Sequence, residues 1–232
     1  MGEAGKQVAE YFEMINPIAV KLEYWIYLPA NYSDDKESPL IVFLHGIGER
    51  GTDITKVKNT GLPKIVEDKI EAKIDFPFVT VSPQCHLDVE RWNPDVVFAL
   101  IQHIQAKYKI DKNRIYATGL SMGGIGTWQV ASKYPDIFAA IAPVAGAGEP
   151  SWAENLKNMP IWVFHNIADK AITIERAIVL PNEIERIRNQ QGVNVELKKC
   201  YYNTYDNNDH DAWTRTYNRQ ELFDWFLLHS RA

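Results

Sequence analysis

A serine lies at the centre of the segment 119–123, GLSMG, which matches the G-x-S-x-G pattern of a nucleophile elbow. In this motif the serine occupies a sharp turn between a strand and a helix, and small neighbours leave room for the crossing chains. The run 114–118, RIYAT, is rich in β-branched and aromatic residues and predicts the strand. The segment 122–134 predicts the helix, which Pro135 ends. Ser121 is therefore the candidate nucleophile.

A serine hydroxyl needs a base to accept its proton and an acid to orient that base. In enzymes built on this elbow the three residues follow in the order serine, acid, histidine, with the acid and the base in loops after later strands. Asp169 follows the apolar run 161–164, and His210 lies in the loop 203–212, between the last predicted strand and the last predicted helix. The chain order of Ser121, Asp169 and His210 meets this requirement.

The acidic residues around His210 leave alternatives open. Asp206, Asp209 and Asp211 are rival candidates for the acid, although sequence neighbours seldom point their carboxylates at the same ring. Turn formation and solvated charge explain them equally well. The segment 206–211 also carries metal-ligand residue types, but it lacks the glycine and the distal glutamate of a calcium loop, so no metal site is predicted.

Two backbone N–H groups are needed to bind the oxyanion that forms when a serine attacks a carbonyl. One is the N–H of Met122, the residue after the nucleophile. The other is expected in the loop 45–48, HGIG, which is similar to the H-G-G-G type of oxyanion loop. Glycines on either side of Ile47 free the backbone to turn its N–H inward. His45 and His165 stand at strand ends, where we expect them to hold their loops by hydrogen bonds.

Strands alternate with helices along the chain, which predicts a mostly parallel central sheet with helices on both faces. The run 40–44, LIVFL, is typical of a strand covered on both faces, and the alternating run 20–28 is typical of an antiparallel edge pair. The other strands are predicted at 76–81, 114–118, 138–144, 161–164 and 193–201. The helices are predicted at 62–70, 95–108, 122–134, 174–191 and 217–229. We expect residues 1–232 to form one domain without a large cap.

The composition is that of a globular protein, with 46% hydrophobic and 24% charged residues. A net charge of −5 argues against a nucleic-acid partner, and no long apolar run predicts a membrane span. The first residues, MGEAGKQVAEYF, lack the features of a signal peptide, so a cytoplasmic location is expected, with secretion after removal of a signal as the alternative. Cys85 and Cys200 are too few for a disulfide framework and are expected to be buried thiols.

Five segments carry a family resemblance that runs from about Tyr24 to the C-terminus. In order they are HGIGERG, SPQC, RIYATGLSMGGIGTWQVASKYPDIFAAIAPVAG, PIWVFHNIAD and DHDAW. This series resembles the small esterases of the α/β-hydrolase superfamily. The similarity is to the dienelactone-hydrolase and phospholipase/carboxylesterase type, often labelled "predicted peptidase" or esterase, and to the catalytic domains of some acetyl and feruloyl esterases.

The resemblance implies an α/β-hydrolase fold, and it gives each candidate residue a role. The implied nucleophile, acid and base are Ser121, Asp169 and His210, and the implied oxyanion donors are Ile47 and Met122. The sequence departs from the family pattern at two places. Asn166 stands where the family usually has glycine, and Asn208-Asp209 replaces a more usual glycine just before His210.

The sequence indicates less about the substrate. Trp92, Trp152 and Trp213 fall in loops near predicted strand ends, where they would contact an acyl group or a sugar ring, or simply cover the core. Glu49 follows the oxyanion loop and is a further candidate for a substrate contact, although a structural ion pair explains it as well. The function predicted is a serine carboxylesterase.

We expect this esterase to cleave short-chain acyl esters or carbohydrate-linked esters of the acetyl or feruloyl type, through an acyl-enzyme and with no cofactor. The partner expected is a small-molecule or polysaccharide-linked ester, with neither nucleic acid nor membrane. A peptidase of the prolyl-oligopeptidase type and a thioesterase are alternatives. A non-catalytic binding module on a hydrolase fold is the alternative from a different class.

Overall fold

The computed structural model describes residues 2–15, 20–193 and 200–231, with the side chains of residues 200–202 left out. Its centre is an eight-stranded sheet in which, counted along the chain, the first strand is followed by the second, fourth, third, fifth, sixth, seventh and eighth. The strands are β1 (Gln7–Met14), β2 (Val20–Tyr27), β3 (Ser38–Leu44), β4 (Val79–Gln84), β5 (Ile110–Leu120), β6 (Ala140–Val144), β7 (Ile161–Asn166) and β8 (Cys200–Tyr205). β2 pairs antiparallel with β1 and with β4, and every other pair of neighbours is parallel.

Helices cover both faces of this sheet. They are α1 (Gly61–Glu71), α2 (Pro94–Lys107), α3 (Met122–Lys133), α4 (Ala153–Leu156), α5 (Ile174–Gln191), α6 (Trp213–Tyr217) and α7 (Gln220–Leu227). α2, α3, α4 and α5 contribute buried residues to the core on one face, and α1, α6 and α7 contribute to the core on the other. The predicted mostly parallel sheet with helices on both faces is confirmed, and no large cap is seen among the described residues.

The apolar runs of the central strands follow from this two-sided cover. In β3, Leu40, Val42 and Leu44 enter one core, whereas Ile41 and Phe43 enter the other. Because successive strand residues point to opposite faces, a strand between two helical layers needs an apolar residue at every position. The run that looked continuous in the sequence therefore supplies two cores from one strand.

The predicted elements differ from the structure in three places. β1 was not predicted, although it is the antiparallel partner that the pattern of β2 requires. The helix predicted at 217–229 is two helices, α6 and α7, which meet at Asn218 and Arg219. Most of the strand predicted at 193–201 lies outside the described residues, and β8 begins at Cys200. Cys85 is buried and free, as expected, and the side chain of Cys200 lies outside the described part.

No helix in the described ranges combines the length and the apolar character that crossing a membrane requires.

A buried carboxylate joins the edge strand β1 to β2 and α2. Glu10 is 6% exposed, and it accepts hydrogen bonds from the hydroxyls of Tyr24 at 2.7 Å and Tyr108 at 2.9 Å. The ammonium of Lys107 lies 2.7 Å from the same carboxylate. Burial alone raises the pKa of Glu10, but the hydrogen bonds from Lys107, Tyr24 and Tyr108 outweigh burial and lower this pKa to about 2. The ionised carboxylate is therefore a stabilising group in the folded state.

Replacement of Glu10 by glutamine is expected to lower the free energy of unfolding at neutral pH by about 3 kcal/mol, which is the equivalent of a pKa lowered from 4.5 to about 2. Because the folded pKa is the lower one, the stabilisation is present above about pH 4.5 and is lost as the pH falls towards 2. Urea unfolding at a series of pH values measures this difference.

The matched control is Glu13→Gln on the same strand, because Glu13 pairs with Lys21 at the surface and both side chains are 64% exposed. We expect this variant to change the free energy of unfolding by less than about 1 kcal/mol. Equal effects of the two substitutions, or a Glu10→Gln effect that does not shrink in acid, would contradict the assignment.

Candidate active site

Ser121 occupies the sharp turn between β5 and α3 that the sequence predicted. Its backbone has φ 54° and ψ −115°, a strained conformation for a residue with a side chain. Its N–H donates to the carbonyl of Val144 at the end of β6, at 2.9 Å. A Cβ on Gly123 would lie 1.8 Å from the carbonyl oxygen of Leu44, and a Cβ on Gly119 would lie 2.5 Å from that of Gly123. The glycines on either side of Ser121 therefore permit backbone contacts that fix the turn.

The structure brings the three widely separated candidates together. The Nε2 atom of His210 lies 2.8 Å from the Oγ atom of Ser121, and its Nδ1 atom lies 2.6 Å from Oδ2 of Asp169. An ionised carboxylate only accepts hydrogen bonds, so Nδ1–H donates to Asp169, and in the neutral ring Nε2 is left as the acceptor for the serine proton. This is the geometry in which a histidine takes a proton from a serine hydroxyl.

Asp169 is held in place by its own turn. It is 3% exposed, and its Oδ1 atom accepts from the N–H of Ala171 at 2.8 Å and of Ile172 at 3.1 Å. His165 lies beside it, with Nε2 donating to the carbonyl of Ile172 at 2.8 Å. Burial lowers the pKa of His165 and so favours its neutral form. As expected, His165 supports a loop, here the loop that carries the acid.

The rival carboxylates point elsewhere. Asp206 lies 3.4 Å from the guanidinium of Arg215 at the surface. Asp211 accepts from the N–H and the hydroxyl of Thr214 at the start of α6. Asp209 accepts from the side chain of Asn166 and from the N–H of the residue two positions later. Of the four acidic candidates, only Asp169 is placed within hydrogen-bond distance of the His210 ring.

The loop after β3 is fixed by His45. The Nδ1–H of His45 donates to the carbonyl of Gly46 at 2.6 Å, and its Nε2 atom accepts from the N–H of Cys85 at 3.1 Å. Burial lowers the pKa of His45 to about 4, which favours the neutral ring that this pattern needs. Just after this anchor, a short 3-10 helix begins at Ile47. His45 therefore holds the candidate oxyanion loop, as expected.

Ser121 opens into a cleft of about 230 Å³. Apolar side chains form much of its lining, together with one exposed carboxylate side chain and one exposed guanidinium side chain. The lining residues besides Ser121 are Ile47, Met122, Ile125, Ile172, Glu90 and Arg91. A larger cavity of about 570 Å³, lined by residues such as Pro160 and Arg231, contains none of the candidate residues. The smaller cleft is therefore the candidate substrate site.

The aromatic candidates for substrate contact divide into three kinds. The ring of Trp213 meets the His210 ring edge-on, with the centroids 5.3 Å apart. Trp92 is only 4% exposed and donates from Nε1 to the carbonyl of His45, so it supports the candidate oxyanion loop from within the core. Trp152 is half-buried and packs against that same core. None of the three tryptophans lines the cleft, and a substrate contact from any of them stays a prediction.

The predicted substrate contact from Glu49 likewise stays a prediction. Its carboxylate packs close to Gly46, where burial raises the pKa of Glu49, and it does not line the cleft. Glu90 and Arg91, which do line it, were not predicted. Both residues directly precede Trp92 in the loop after β4, and this position was the signal in the sequence that could have made them candidates for a substrate contact. No group of three or more His, Cys, Asp or Glu side chains suited to a metal ion occurs in the described part of the chain.

A mostly parallel sheet with a serine elbow after its fifth strand and the histidine loop after its last defines a hydrolase of the α/β-hydrolase fold. Residues 16–169 match the family described as "Putative esterase". The chain belongs to this esterase family.

Two curated relatives and one solved structure place the chain among esterases. It is 28% identical over 155 residues to feruloyl esterase B of Thermothelomyces thermophilus, covering 61% of this chain and 48% of that protein. It is 25% identical over 157 residues to the bifunctional acetylxylan esterase/xylanase XynS20E of Neocallimastix patriciarum, covering 65% of this chain and 22% of that one. The chain thus spans less than half the length of both relatives.

A crystal structure of a thermostable esterase superposes on this chain with a TM-score of 0.82 and 32% identity. The superposition covers 97% of this chain and 63% of that one. The likeness therefore extends over nearly the whole sequence, well beyond the residues matched by the family.

Proposed function

We propose that the chain is a serine carboxylesterase in which Ser121 is the nucleophile, His210 the general base and Asp169 the acid that orients it. The observation that carries the proposal is the continuous hydrogen-bonded chain from Oγ of Ser121 through His210 to Asp169, with steps of 2.8 and 2.6 Å. Its serine stands on a strained turn and opens into a cleft. Membership of an esterase family supports ester hydrolysis as the reaction.

The reaction proceeds in two halves. Oγ of Ser121 attacks the ester carbonyl while its proton passes to Nε2 of His210, and Asp169 stabilises the imidazolium that forms. His210 then gives the proton to the leaving alcohol, and the acyl group remains on Ser121. In the second half, water gives a proton to His210 as its oxygen attacks the acyl-serine. The bond between the acyl carbon and Oγ then breaks, His210 returns the proton to Oγ, and the carboxylic acid product leaves.

The oxyanion is bound by the backbone N–H groups of Met122 and Ile47. Met122 is the first residue of α3, where free N–H groups and the helix dipole favour negative charge. Ile47 begins the 3-10 helix after Gly46, and both residues line the cleft beside Ser121. Each donor of this kind contributes about 10²–10³-fold to the rate.

The size of the cleft limits the substrate. A volume of about 230 Å³ is smaller than the pockets of about 300–1,000 Å³ that hold drug-sized ligands. Ile125 and Ile172 give it an apolar wall that suits a short acyl group, and Glu90 and Arg91 offer hydrogen bonds to an alcohol rich in hydroxyls. The relatives named for acetylxylan and feruloyl esters support a carbohydrate-linked ester of this kind.

A panel of substrates tests the proposal. We expect p-nitrophenyl acetate and butyrate to be hydrolysed fastest, with kcat/KM falling about tenfold or more by octanoate, because a small apolar pocket discriminates by chain length. Acetylated xylan and methyl ferulate distinguish the carbohydrate-linked classes. A prolyl p-nitroanilide and an acetyl thioester serve as controls for the peptidase and thioesterase alternatives. Faster cleavage of either control than of every oxygen ester would contradict the proposal.

A further inference from the structure

A buried amide contacts the residue that precedes the candidate base. Asn166, the last residue of β7, is 0% exposed. Its Nδ2 atom donates to the backbone carbonyl of Asp209 at 3.0 Å and to Oδ1 of the same residue at 2.8 Å. Asp209 is covalently bonded to His210, so these two bonds fix the backbone from which the His210 ring projects. We call this pair of hydrogen bonds the Asn166–Asp209 clasp.

The clasp also connects to the acid. The backbone carbonyl of Asn166 accepts from the N–H of Asp169 at 3.3 Å, so Asn166 ends the strand whose next turn carries the carboxylate. On the other side, Oδ1 of Asp209 accepts from the N–H of Asp211 at 3.0 Å, which bridges the two neighbours of His210. Asn166 thus contacts both loops, that of the candidate base through its side chain and that of the candidate acid through its backbone carbonyl.

The chemistry of the contact leaves one orientation for the amide. Both partners on Asp209 are acceptors, so the NH₂ group of Asn166 must face them. Its Oδ1 atom then lies buried without a hydrogen-bond partner among the described residues, which costs free energy. A glycine at position 166 has no side chain to make these bonds. The sequence departs from the resembled family pattern at position 166 and just before His210, and these are the two ends of one contact.

We propose that the Asn166–Asp209 clasp is a positioning device that keeps Nε2 of His210 within reach of Ser121. The inference rests on the proposed serine esterase mechanism. Asn166 acts through the loop and touches neither the substrate nor the reacting atoms. Loss of the clasp therefore slows proton transfer while substrate binding in the cleft is retained.

Asn166→Asp tests the proposal by placing a carboxylate against the two acceptors of Asp209. We expect kcat for p-nitrophenyl acetate to fall about 10²-fold, the effect of a displacement of roughly 1 Å in a catalytic group, with KM changed less than about twofold. The double variant Asn166→Asp/Asp209→Asn restores a donor and an acceptor between the two side chains, whereas the backbone carbonyl of residue 209 still faces a carboxylate. The kcat of the double variant is expected to be about tenfold or more above that of Asn166→Asp, because the two positions are coupled.

Two further variants separate positioning from general damage. Asn208→Asp adds the same charge at an exposed neighbour in the loop and should keep the kcat of the wild type within about threefold. Asp209→Ala removes the exposed partner of the contact and leaves the buried residue Asn166 at the end of β7 unchanged. This variant should lower kcat by about tenfold, with KM unchanged. Thermal melting followed by circular dichroism reports the fold of each variant.

The outcomes distinguish this inference from the function on which it rests. A wild-type protein that cleaves no ester, or a Ser121→Ala variant as active as the wild type, would overturn both. An inactive Ser121→Ala variant together with Asn166→Asp and Asp209→Ala variants of wild-type kcat would overturn the clasp alone. So would a double variant no faster than Asn166→Asp. If Asn166→Asp fails to fold, wild-type kcat in Asp209→Ala overturns the inference, and the expected loss supports it.

Discussion

Replacement of Ser121 by alanine is expected to lower kcat for p-nitrophenyl acetate by about 10⁴-fold or more. The variant keeps the cleft and the proposed oxyanion donors but has no oxygen to attack the carbonyl, and the members of a triad act as a unit. KM should change little, because the serine hydroxyl contributes little to ground-state binding. Steady-state kinetics with a low background of chemical hydrolysis measure the effect.

A matched control is available for this substitution. Ser151 is exposed in the short helix Pro150–Trp152 and does not line the cleft, so Ser151→Ala should retain the activity of the wild type. If Ser121→Ala retained more than about a tenth of the wild-type kcat, another group would have to be the nucleophile, and the proposed mechanism would be wrong.

Replacement of Asp169 by asparagine is expected to lower kcat by about 10⁴-fold through the tautomer of His210. The carboxylate accepts the Nδ1 proton at 2.6 Å, and its other oxygen is occupied by the backbone N–H groups of Ala171 and Ile172. In the variant the amide oxygen remains with those two donors, so the NH₂ group faces Nδ1. The ring then carries its proton on Nε2 and is unable to accept the proton of Ser121.

The control for this substitution is Asp206→Asn, because the Asp206 side chain is 90% exposed and lies beside Arg215 rather than the base. It should keep kcat within about threefold of the wild type. Near wild-type activity in Asp169→Asn would show that Asp169 does not orient His210, and one of the acidic residues around His210 would then be the better candidate. Unchanged activity in Asp169→Asn together with a large loss in Asp206→Asn would identify Asp206 as the acid that orients His210.

The features that could be predicted from the sequence are the turn that carries Ser121 and the identity of the two residues that accompany it. A serine between two glycines, with a β-branched run before it and a helical pattern after it, defines a strand–turn–helix without any long-range information. The order of Asp169 and His210 after later strands was enough to select both, because the carboxyl ends of parallel strands meet at one edge of the sheet. The structure brings them within hydrogen-bond distance of each other and of Ser121.

The sequence did not predict contacts that depend on three-dimensional packing. Trp92 lies in a loop, yet its indole packs inward against His45. An aromatic residue in a loop suits burial and exposure equally, so pattern alone could not decide between them. The clasp between Asn166 and Asp209 was missed for the same reason. Each residue could be recognised as unusual at its own position, but their contact spans 43 positions along the chain.

Covalent labelling with a fluorophosphonate is the direct test of Ser121 as the nucleophile, because such reagents react with a serine that a histidine has activated. Tryptic digestion places Ser121 in the peptide 115–133, IYATGLSMGGIGTWQVASK, where fragment masses separate it from Ser132. We expect one label per chain, on Ser121, with labelling slowed strongly in Asp169→Asn. A chain that stays unlabelled while it hydrolyses esters, or a label on any other residue, would contradict the assignment of Ser121 as the nucleophile.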